Sequence, residues 1–417
     1  MLIWWVISMI LETKDLNKCY GCFACANACP KRCIDLVQND EGFFMPTVDR
    51  KNCVNCGLCD KVCIIGKTST NLVEHRKKPA CYYGYLKNNE HRKRSASGGL
   101  AYALSADCIR RGGVVFGVVG KWFENVHHTK AETLEELVEL CGSKNIQSFV
   151  GDVYSQVKHE LNIGKQVVFV GTPCQVAGLY SYLGRDNENL LTIDLICHGV
   201  PSQKVLKAYI AELEKKANKK IVKFGRDETF QYLPVQYIAW YEDGSYDILM
   251  PDNSLYRKGF LSNLYQRKSC SKCEYSKIPR MGDLTAGDVM FSVDRPKSEI
   301  DGNNLGVSLV IENTSKGEQA LKAVSANFEI HEMSLESAIK GNRWVSHCIA
   351  ENPLRKSFFE SFNKNGFKAS ESIIEISYQQ MQKTYKREGR IAYLKVLLNP
   401  IALYKAVAKR IGGERRK

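Results

Sequence analysis

Apolar residues between positions 97 and 217 recur at intervals that alternate between helical and strand-like. Helical spacing runs through five segments, "SGGLAYALSADCIRRGG", "TLEELVELCG", "SFVGDVYSQVKHELNIG", "PCQVAGLYSYLG" and "SQKVLKAYIAELEKKA". Between them, the short apolar runs "VVFGVV", "QVVFVG" and "LLTIDLICHG" are typical of buried strands. This alternation predicts a layered α/β domain with at least partly parallel strands.

Other stretches of the chain have different patterns. Residues 235–249, "VQYIAWYEDGSYDIL", alternate around an Asp-Gly pair and predict a β-hairpin. The polar stretch 66–79 predicts a linker, and beyond about Asn352 the chain is predicted to be helical and basic.

The composition is that of a globular protein from a reducing compartment. Its 417 residues, 44% of them hydrophobic, are enough for two or three domains with their own cores. The apolar run at the N-terminus is about eleven residues long, against roughly twenty for a membrane span, and it lacks a basic leader and a cleavage site. We therefore expect a cytoplasmic protein that starts at Met9. Its seventeen cysteines are dense enough to indicate metal binding or redox chemistry in place of disulfide crosslinks.

The net charge of +14 is concentrated at the C-terminus. Residues 377–417 hold eleven Lys or Arg against two Glu, which supplies +9 of the total. The rest of the chain is close to balanced, so we expect no nucleic-acid binding. The tail has apolar residues on one side and Lys or Arg on the other, with Pro400 separating two helices. This pattern fits an anionic membrane surface, with peripheral association, and it equally fits a helix docked on the protein body.

Four cysteines in "CYGCFACANACPKRC" recur with the same spacing 34 positions later in "CVNCGLCDKVC". The repeat indicates an internal duplication of one small unit. In bacterial two-cluster ferredoxins, three cysteines at three-residue intervals hold one 4Fe-4S cluster and the fourth ligates the other cluster. We predict one cluster on Cys19, Cys22, Cys25 and Cys63, and a second on Cys53, Cys56, Cys59 and Cys29.

Nine further cysteines lie outside these quartets. We expect five of them to be core residues: Cys33, Cys81, Cys108, Cys141 and Cys348. The other four lie at strand ends or turns, where functional groups gather: Cys174, Cys197, Cys270 and Cys273. Thr172 and Pro173 are suited to start a helix, whose positive end would stabilise a thiolate or an anionic cluster at Cys174.

Six segments resemble, in order, the signature blocks of the coenzyme F420 hydrogenase/dehydrogenase beta-subunit family. They are "RSASGGL", "GSKNIQS", "VVFVGTPCQVAGL", "IDLICHGVPS", "KSCSKCEYSKIPRMGDLTAGD" and "GVSLVIENTSKG". With the N-terminal two-cluster ferredoxin domain, the likeness covers roughly residues 15 to 345. The resemblance implies an FAD-containing module that relays electrons between iron-sulfur clusters and a partner.

The resemblance also implies a third 4Fe-4S cluster, on Cys174, Cys197, Cys270 and Cys273. Buried free thiols, or a redox dithiol at C-S-K-C, are the alternatives. For FAD, the glycines in "SASGG" would let the N–H groups at a helix start bind a pyrophosphate. The alternative is that this sequence only caps a helix and binds no ligand. The flavin-binding residues that the resemblance suggests are Ser95, Ser97, Gly98, Gly99, Ser143, Lys144, Gln147, Ser148, Gly171, Thr172 and Asp288. His198 would donate a proton near the flavin, or hydrogen-bond a backbone carbonyl.

We therefore predict an α+β ferredoxin-like dicluster domain (9–66), an α/β flavin-binding domain in two parts (80–165 and 166–350) and a helical basic tail (351–417). The predicted function is that of an FAD- and iron-sulfur-dependent oxidoreductase. Its redox partner is expected to be a protein or a small molecule, such as coenzyme F420 or a metabolite of surface-polysaccharide pathways. One alternative is a non-catalytic electron-transfer subunit of a larger redox complex. The other is a cluster-bearing, membrane-associated sensor or interaction protein.

Overall fold

A computed structural model describes residues 15–67, 72–121, 123–226, 237–250, 252–289 and 305–387. The predicted start at Met9 and the basic tail around Pro400 lie outside these residues. The chain divides into two compact units. The first takes its residues from Met1–Gln203, Arg267–Lys297 and Leu305–Ile349, and the second from Lys204–Gln266, Ser298–Asn304 and Ala350–Lys417.

The strands of the described residues are, in chain order, β1 (Ile34–Gln38), β2 (Phe44–Val48), β3 (Ala80–Leu86), β4 (Val114–Lys121), β5 (Glu124–Ala131), β6 (Val167–Gly171), β7 (Leu190–Leu195), β8 (Ile221–Gly225), β9 (Tyr237–Tyr241), β10 (Tyr246–Leu249), β11 (Leu284–Asp288), β12 (Ser308–Glu312) and β13 (Phe328–Met333). The α-helices are α1 (Ala24–Ala28), α2 (Leu58–Lys61), α3 (Asn89–Arg94), α4 (Leu100–Arg110), α5 (Leu134–Leu140), α6 (Val153–Asn162), α7 (Pro173–Leu183), α8 (Gln203–Ala217), α9 (Leu255–Leu261), α10 (Ser315–Ala323), α11 (Leu335–Gly341), α12 (Arg355–Asn365) and α13 (Glu371–Arg387).

The ferredoxin-like part of the first unit consists of α1, α2 and the antiparallel pair β1–β2. Its duplication extends to the backbone. Gly21 and Asn55, 34 positions apart, have φ of 64° and 51°, and Phe23 and Gly57, again 34 apart, have φ of 68° and 70°. Because left-handed φ is costly for residues other than glycine, its recurrence at equivalent places indicates that both cysteine loops follow one conformation.

An eight-stranded sheet forms the centre of the first unit, in the order β13-β3-β12-β11-β7-β6-β4-β5. The neighbours β11, β7, β6 and β4 are parallel, whereas the outer strands pair antiparallel. Alternate residues of the central strands enter different cores, with Phe116 and Phe169 in one and Val115 and Val168 in the other. Burial on both faces explains why these strands are continuous apolar runs in the sequence.

The second unit contains the antiparallel sheet β10-β9-β8 and helices α8, α9, α12 and α13. The predicted hairpin is formed by β9 and β10, with Trp240 opposite Tyr246. Stacked tyrosines lie in its interior, with the Tyr209 and Tyr256 rings 5.7 Å apart and the Tyr256 and Tyr265 rings 5.3 Å apart.

The predicted mixed α/β fold with an N-terminal ferredoxin-like domain is confirmed, as are the helices and strands predicted between residues 97 and 217. The predicted bounds at 80–165, 166–350 and 351–417 do not coincide with the two units, because residues 204–266 group with the chain after 349. The stretch predicted as a linker is partly packed, since Val73 is buried and Arg76 pairs with Glu312 at 2.7 Å. Among the described helices, none has the length and apolarity to cross a membrane.

Candidate functional site

Four cysteines that were predicted to bind one cluster line a single cavity in the structure. Cys29, Cys53, Cys56 and Cys59, here termed the outer group, line about 300 Å³ of empty space that includes the opening to solvent. Cys56 is exposed, whereas Cys59 is buried. The four sulfurs therefore surround a space that solvent can reach from the side of Cys56.

The other ferredoxin quartet, here termed the inner group, is more deeply buried than the outer group and consists of Cys19, Cys22, Cys25 and Cys63. Burial raises the pKa of the Cys25 thiol, and the nearby Cys19 and Cys63 raise it further. Burial also raises the pKa of Cys22 well above its ordinary value, with Cys25 and Cys19 adding to the effect. Thiols held neutral by burial lose their protons when a metal binds, so the ligand set suits a buried anionic cluster.

A third quartet, the body group, assembles from three separate segments. Burial raises the pKa of Cys174 to about 12 and that of Cys197 to about 11, and in both cases Cys273 contributes next. Burial likewise raises the pKa of Cys270, to which Cys197, Cys273 and Cys174 all contribute. Each of the four thiols thus lies within electrostatic reach of the others, although the chain separates them by up to 99 residues.

Within the described ranges, no group of three or more His, Cys, Asp or Glu side chains has the arrangement that holds a single metal ion. The thiolates of one zinc ion converge at about 2.3 Å from the metal. A 4Fe-4S cubane places one iron between each thiolate and the cluster centre, so its four ligands stand further apart. The lined cavity of the outer group and the mutual proximity in the other two groups are compatible with this wider spacing.

The three groups follow one another in space. Cys59 of the outer group interacts electrostatically with Cys25 of the inner group, and Cys174 of the body group interacts with Cys22. A Cβ placed on Gly178, in helix α7, would lie 3.0 Å from Cβ and 3.1 Å from Sγ of Cys22. The absence of a side chain at this position therefore lets the inner group approach the helix that Cys174 opens.

Arg267 fixes the inner group against the body group. It is 4% exposed, and its guanidinium donates to the carbonyls of Cys19 and Phe44, each at 3.1 Å. It also donates to Gln147 Oε1 at 2.7 Å, and Ser269 Oγ donates to Cys19 O at 3.0 Å. Arg267 was not singled out from the sequence, where its place three residues before the first cysteine of C-S-K-C was the available signal.

The body group lies at the carboxyl edge of the parallel strands. Cys174 follows β6, Cys197 and His198 follow β7, and Asp288 ends β11. Ligands of open α/β sheets bind at this edge, since loops from neighbouring parallel strands meet there. Thr172 caps helix α7 through a capping box with Gln175, as its sequence predicted, and its Oγ1 lies 3.2 Å from Cys174 Sγ.

His198 stacks on Trp344, with ring centroids 3.9 Å apart. Burial lowers the pKa of His198 to about 4, and the charge of Asp288 only partly offsets this. The imidazole is therefore neutral at physiological pH, and its ring N–H can donate a hydrogen bond. Trp344 was missed in the sequence because it lies 146 residues away and outside the recognised blocks.

Eight of the eleven predicted flavin residues fall into two sets, and the other three, Gly171, Thr172 and Asp288, lie at the carboxyl ends of β6 and β11. The glycines of "SASGG" are required by packing, since a Cβ on Gly98 would lie 2.3 Å from Gly84 O and 2.4 Å from Ser308 N. Ser95 Oγ donates to His91 O, and Ser97 Oγ to Val307 O, each at 2.8 Å. Helix α4 nevertheless has Gly99 at its N-cap position and no side-chain cap, so no capping side chain competes with an anion for its first N–H groups.

The second set lies in "GSKNIQS", residues 142–148, which is close to "RSASGGL" in space. A Cβ on Gly142 would lie 3.9 Å from the carbonyl oxygen of Arg94. The side chains of this second set are engaged within the protein. Lys144 Nζ donates to the carbonyls of Glu139 and Cys141, and burial lowers its pKa to about 8. Ser148 Oγ contacts His128 Nδ1 at 3.0 Å and accepts from Gln175 at 2.9 Å, while Gln147 is held by Arg267. The residues that fit a flavin diphosphate are thus the backbone groups at α4, and the side chains of Lys144, Gln147 and Ser148 would first have to exchange partners.

Comparisons with known proteins find two matching segments in the chain. Residues 164–337 match the family model for the C terminus of the beta subunit of coenzyme F420 hydrogenase/dehydrogenase, and residues 18–66 match the model "4Fe-4S dicluster domain". No curated protein sequence matches the chain. Among solved structures, a chain of the F420-reducing NiFe hydrogenase complex from Methanosarcina barkeri is similar at 19% identity and a TM-score of 0.45, over 72% of this chain and 92% of that one. The resemblance predicted from the sequence is thereby confirmed over these two segments, residues 18–66 and 164–337.

Proposed function

We propose that the protein is an iron-sulfur flavoprotein oxidoreductase that passes electrons along its outer, inner and body groups, each holding one 4Fe-4S cluster, to a bound FAD. The observation that carries the proposal is the spatial succession of the three cysteine quartets, which ends at the carboxyl edge of the parallel strands. When bound, a flavin exchanges single electrons with a cluster and a hydride with a substrate.

The protein's own residues have separate tasks in this scheme. Cys56 and the opening beside it give a redox partner access to the outer group. Gly178 allows close contact between the inner group and helix α7, which shortens the path to Cys174. The N–H groups at the start of α4 would bind the flavin diphosphate. His198, neutral and stacked on Trp344, would accept or donate the proton that accompanies hydride chemistry.

The cofactor proposal is tested by anaerobic purification followed by assays of iron, sulfide and flavin. We expect about twelve irons and one FAD per chain, because three cubanes hold four irons each. Cys270→Ala should lose about four irons. Cys141→Ala is the matched control and should lose none, since this thiol donates to Leu137 O at 3.5 Å and lies outside the three groups. About eight irons without flavin in the native chain would overturn both the third cluster and the enzymatic proposal.

The partner and substrate proposals need turnover measurements. We propose a hydride-accepting small molecule, such as coenzyme F420 or a metabolite of surface-polysaccharide pathways, as the substrate. Chemically reduced protein should then be reoxidised by the substrate, and His198→Gln should slow this step while iron and FAD contents stay native. Reoxidation only by a separate protein would favour the alternative, a non-catalytic electron-transfer protein of a larger complex, and the absence of flavin would favour a cluster-bearing sensor.

Membrane association of the basic tail is a separate proposal, supported by its eleven Lys or Arg and its apolar side. A chain ending at residue 387 should lose partition onto vesicles that contain anionic lipid. Unchanged partition would contradict the proposal.

A further inference from the structure

A fifth thiol shares the cavity of the outer group. Cys33 lines the same space as Cys29, Cys53, Cys56 and Cys59, and its Sγ lies 3.4 Å from Cys29 Sγ. It also interacts with Cys53. Cys33 is 5% exposed and packs with Ile34 and Cys59, so the expectation of a core residue holds for its burial. A cubane needs only four protein thiolates, and this cavity therefore offers one more than required.

The backbone between Cys29 and Cys33 places both thiols on the same side. Cys29 ends α1, and the N–H of Arg32 donates to Cys29 O at 3.1 Å. Arg32 has a left-handed φ of 49°, which turns the chain back before β1. Cys33 is then anchored at the strand, since its carbonyl accepts from Asp49 N at 2.8 Å. The proximity of the two sulfurs thus follows from a defined turn.

The two thiols are not equivalent. Cys29 belongs to the ferredoxin spacing, whereas Cys33 does not. When Cys29 binds a cluster as a thiolate, its sulfur has no proton to donate, so Cys33 is the donor of the 3.4 Å contact between the two sulfurs. Cys33 is then in the position of a neighbour that tunes the ligand.

We propose that Cys33 is a reserve ligand of the outer cluster, which replaces Cys29 when that ligand is lost. The proposal rests on the cluster assigned above to the outer group. In the exchange, the bond between iron and Cys29 sulfur breaks and one between the same iron and Cys33 sulfur forms. The proton of Cys33 passes to the departing Cys29 sulfur or to water, and no electron is transferred.

Four variants of the full chain, purified without oxygen, test the proposal through iron, sulfide and visible absorbance. Cys29→Ala and Cys33→Ala should each keep the native iron content, whereas the double variant should lose about four irons. Cys56→Ala is the control. It should lose about four irons alone, because Cys56 lies at the exposed side and the contacts of Cys33 are with Cys29 and Cys53. Loss of four irons from Cys29→Ala alone would overturn the proposal.

A second measurement does not depend on how Cys29→Ala folds. Removing a hydrogen-bond donor from a ligating sulfur lowers a cluster's reduction potential. Cys33→Ala should therefore lower the potential of the outer cluster and alter its EPR spectrum, with the inner cluster unchanged. An unaltered potential and spectrum would overturn the proposal. Failure of the proposed function is distinguishable, because the native chain would then already lack the irons of the outer cluster.

Discussion

Arg280 provides a quantitative test of how the body group is held. Its side chain is fully buried, and its Nη2 lies 3.1 Å from Asp194 Oδ2, which is also fully buried. The guanidinium further donates to Val345 O at 3.3 Å and Leu195 O at 3.1 Å. Because removal of one partner leaves the other charge buried and unpaired, Arg280→Met should lower the free energy of unfolding by about 3–5 kcal/mol.

Urea unfolding of the anaerobic protein, followed by circular dichroism, measures this loss. With a slope of about 3 kcal/mol per molar, the midpoint should fall by roughly 1 to 1.7 M. Lys322→Met is the control, since it removes only an exposed pair with Glu318 and should leave the midpoint unchanged. The double variant Arg280→Met with Asp194→Leu should recover part of the stability, because no unpaired charge remains.

The same double variant separates stability from charge compensation. Arg280 lies within electrostatic reach of Cys197 and Cys273, whose thiolates would carry an anionic cluster. The double variant should therefore still bind iron poorly at the body group although its fold is restored. A midpoint within about 0.3 M of native for Arg280→Met would refute the buried-pair argument, as would a double variant less stable than the single.

Two further predictions use the same urea assay. Gly98→Ala should lower the free energy of unfolding by about 3 kcal/mol or more, because the new Cβ meets two backbone atoms. Gly164→Ala, at φ 83° in open space, should lower it by only about 1–2 kcal/mol. Equal losses in the two variants would contradict the packing argument. Burial lowers the pKa of His128 to about 4, below the 6.5 of the unfolded chain, so stability should be fully present above pH 6.5 and fall by up to about 3 kcal/mol as the pH drops to about 4. His128→Phe should flatten this acid dependence, and an unchanged slope would show that another group causes it.

Local patterns in the sequence predicted a large part of this fold. Helix α7 was predicted together with its cap from Thr172 and Pro173, because a proline at the first helical position leaves no N–H to satisfy there, and Gln175 Oε1 in turn accepts from Thr172 N–H at 2.9 Å. The short strands β11 and β12 were not assigned, since "LTAGD" and "SLVIE" carry few residues and their pairing depends on partners far away in the chain.

The candidate site was likewise predicted only in part from the sequence. Cysteine spacing alone predicted the two ferredoxin quartets, because ligands of one loop lie near each other in sequence. Arg267 and Arg280 were missed because a buried arginine has the same sequence signature as an exposed one. Their importance comes from carbonyls and carboxylates that only the fold brings within reach.

Helix α7 is the element in which sequence, packing and proposed function converge. Its first turn presents Cys174 to the body group, and one turn later Gly178 meets Cys22 of the inner group. Residues four apart lie on one face of a helix, so a single face serves both groups. The Tyr154 hydroxyl lies 2.8 Å from the carbonyl oxygens of both Cys22 and Gln175 and shares its one proton between them, and so ties the ferredoxin loop to this helix. Because electron transfer weakens steeply with distance, this junction would set how fast electrons pass from the inner group to the body group in the proposed function.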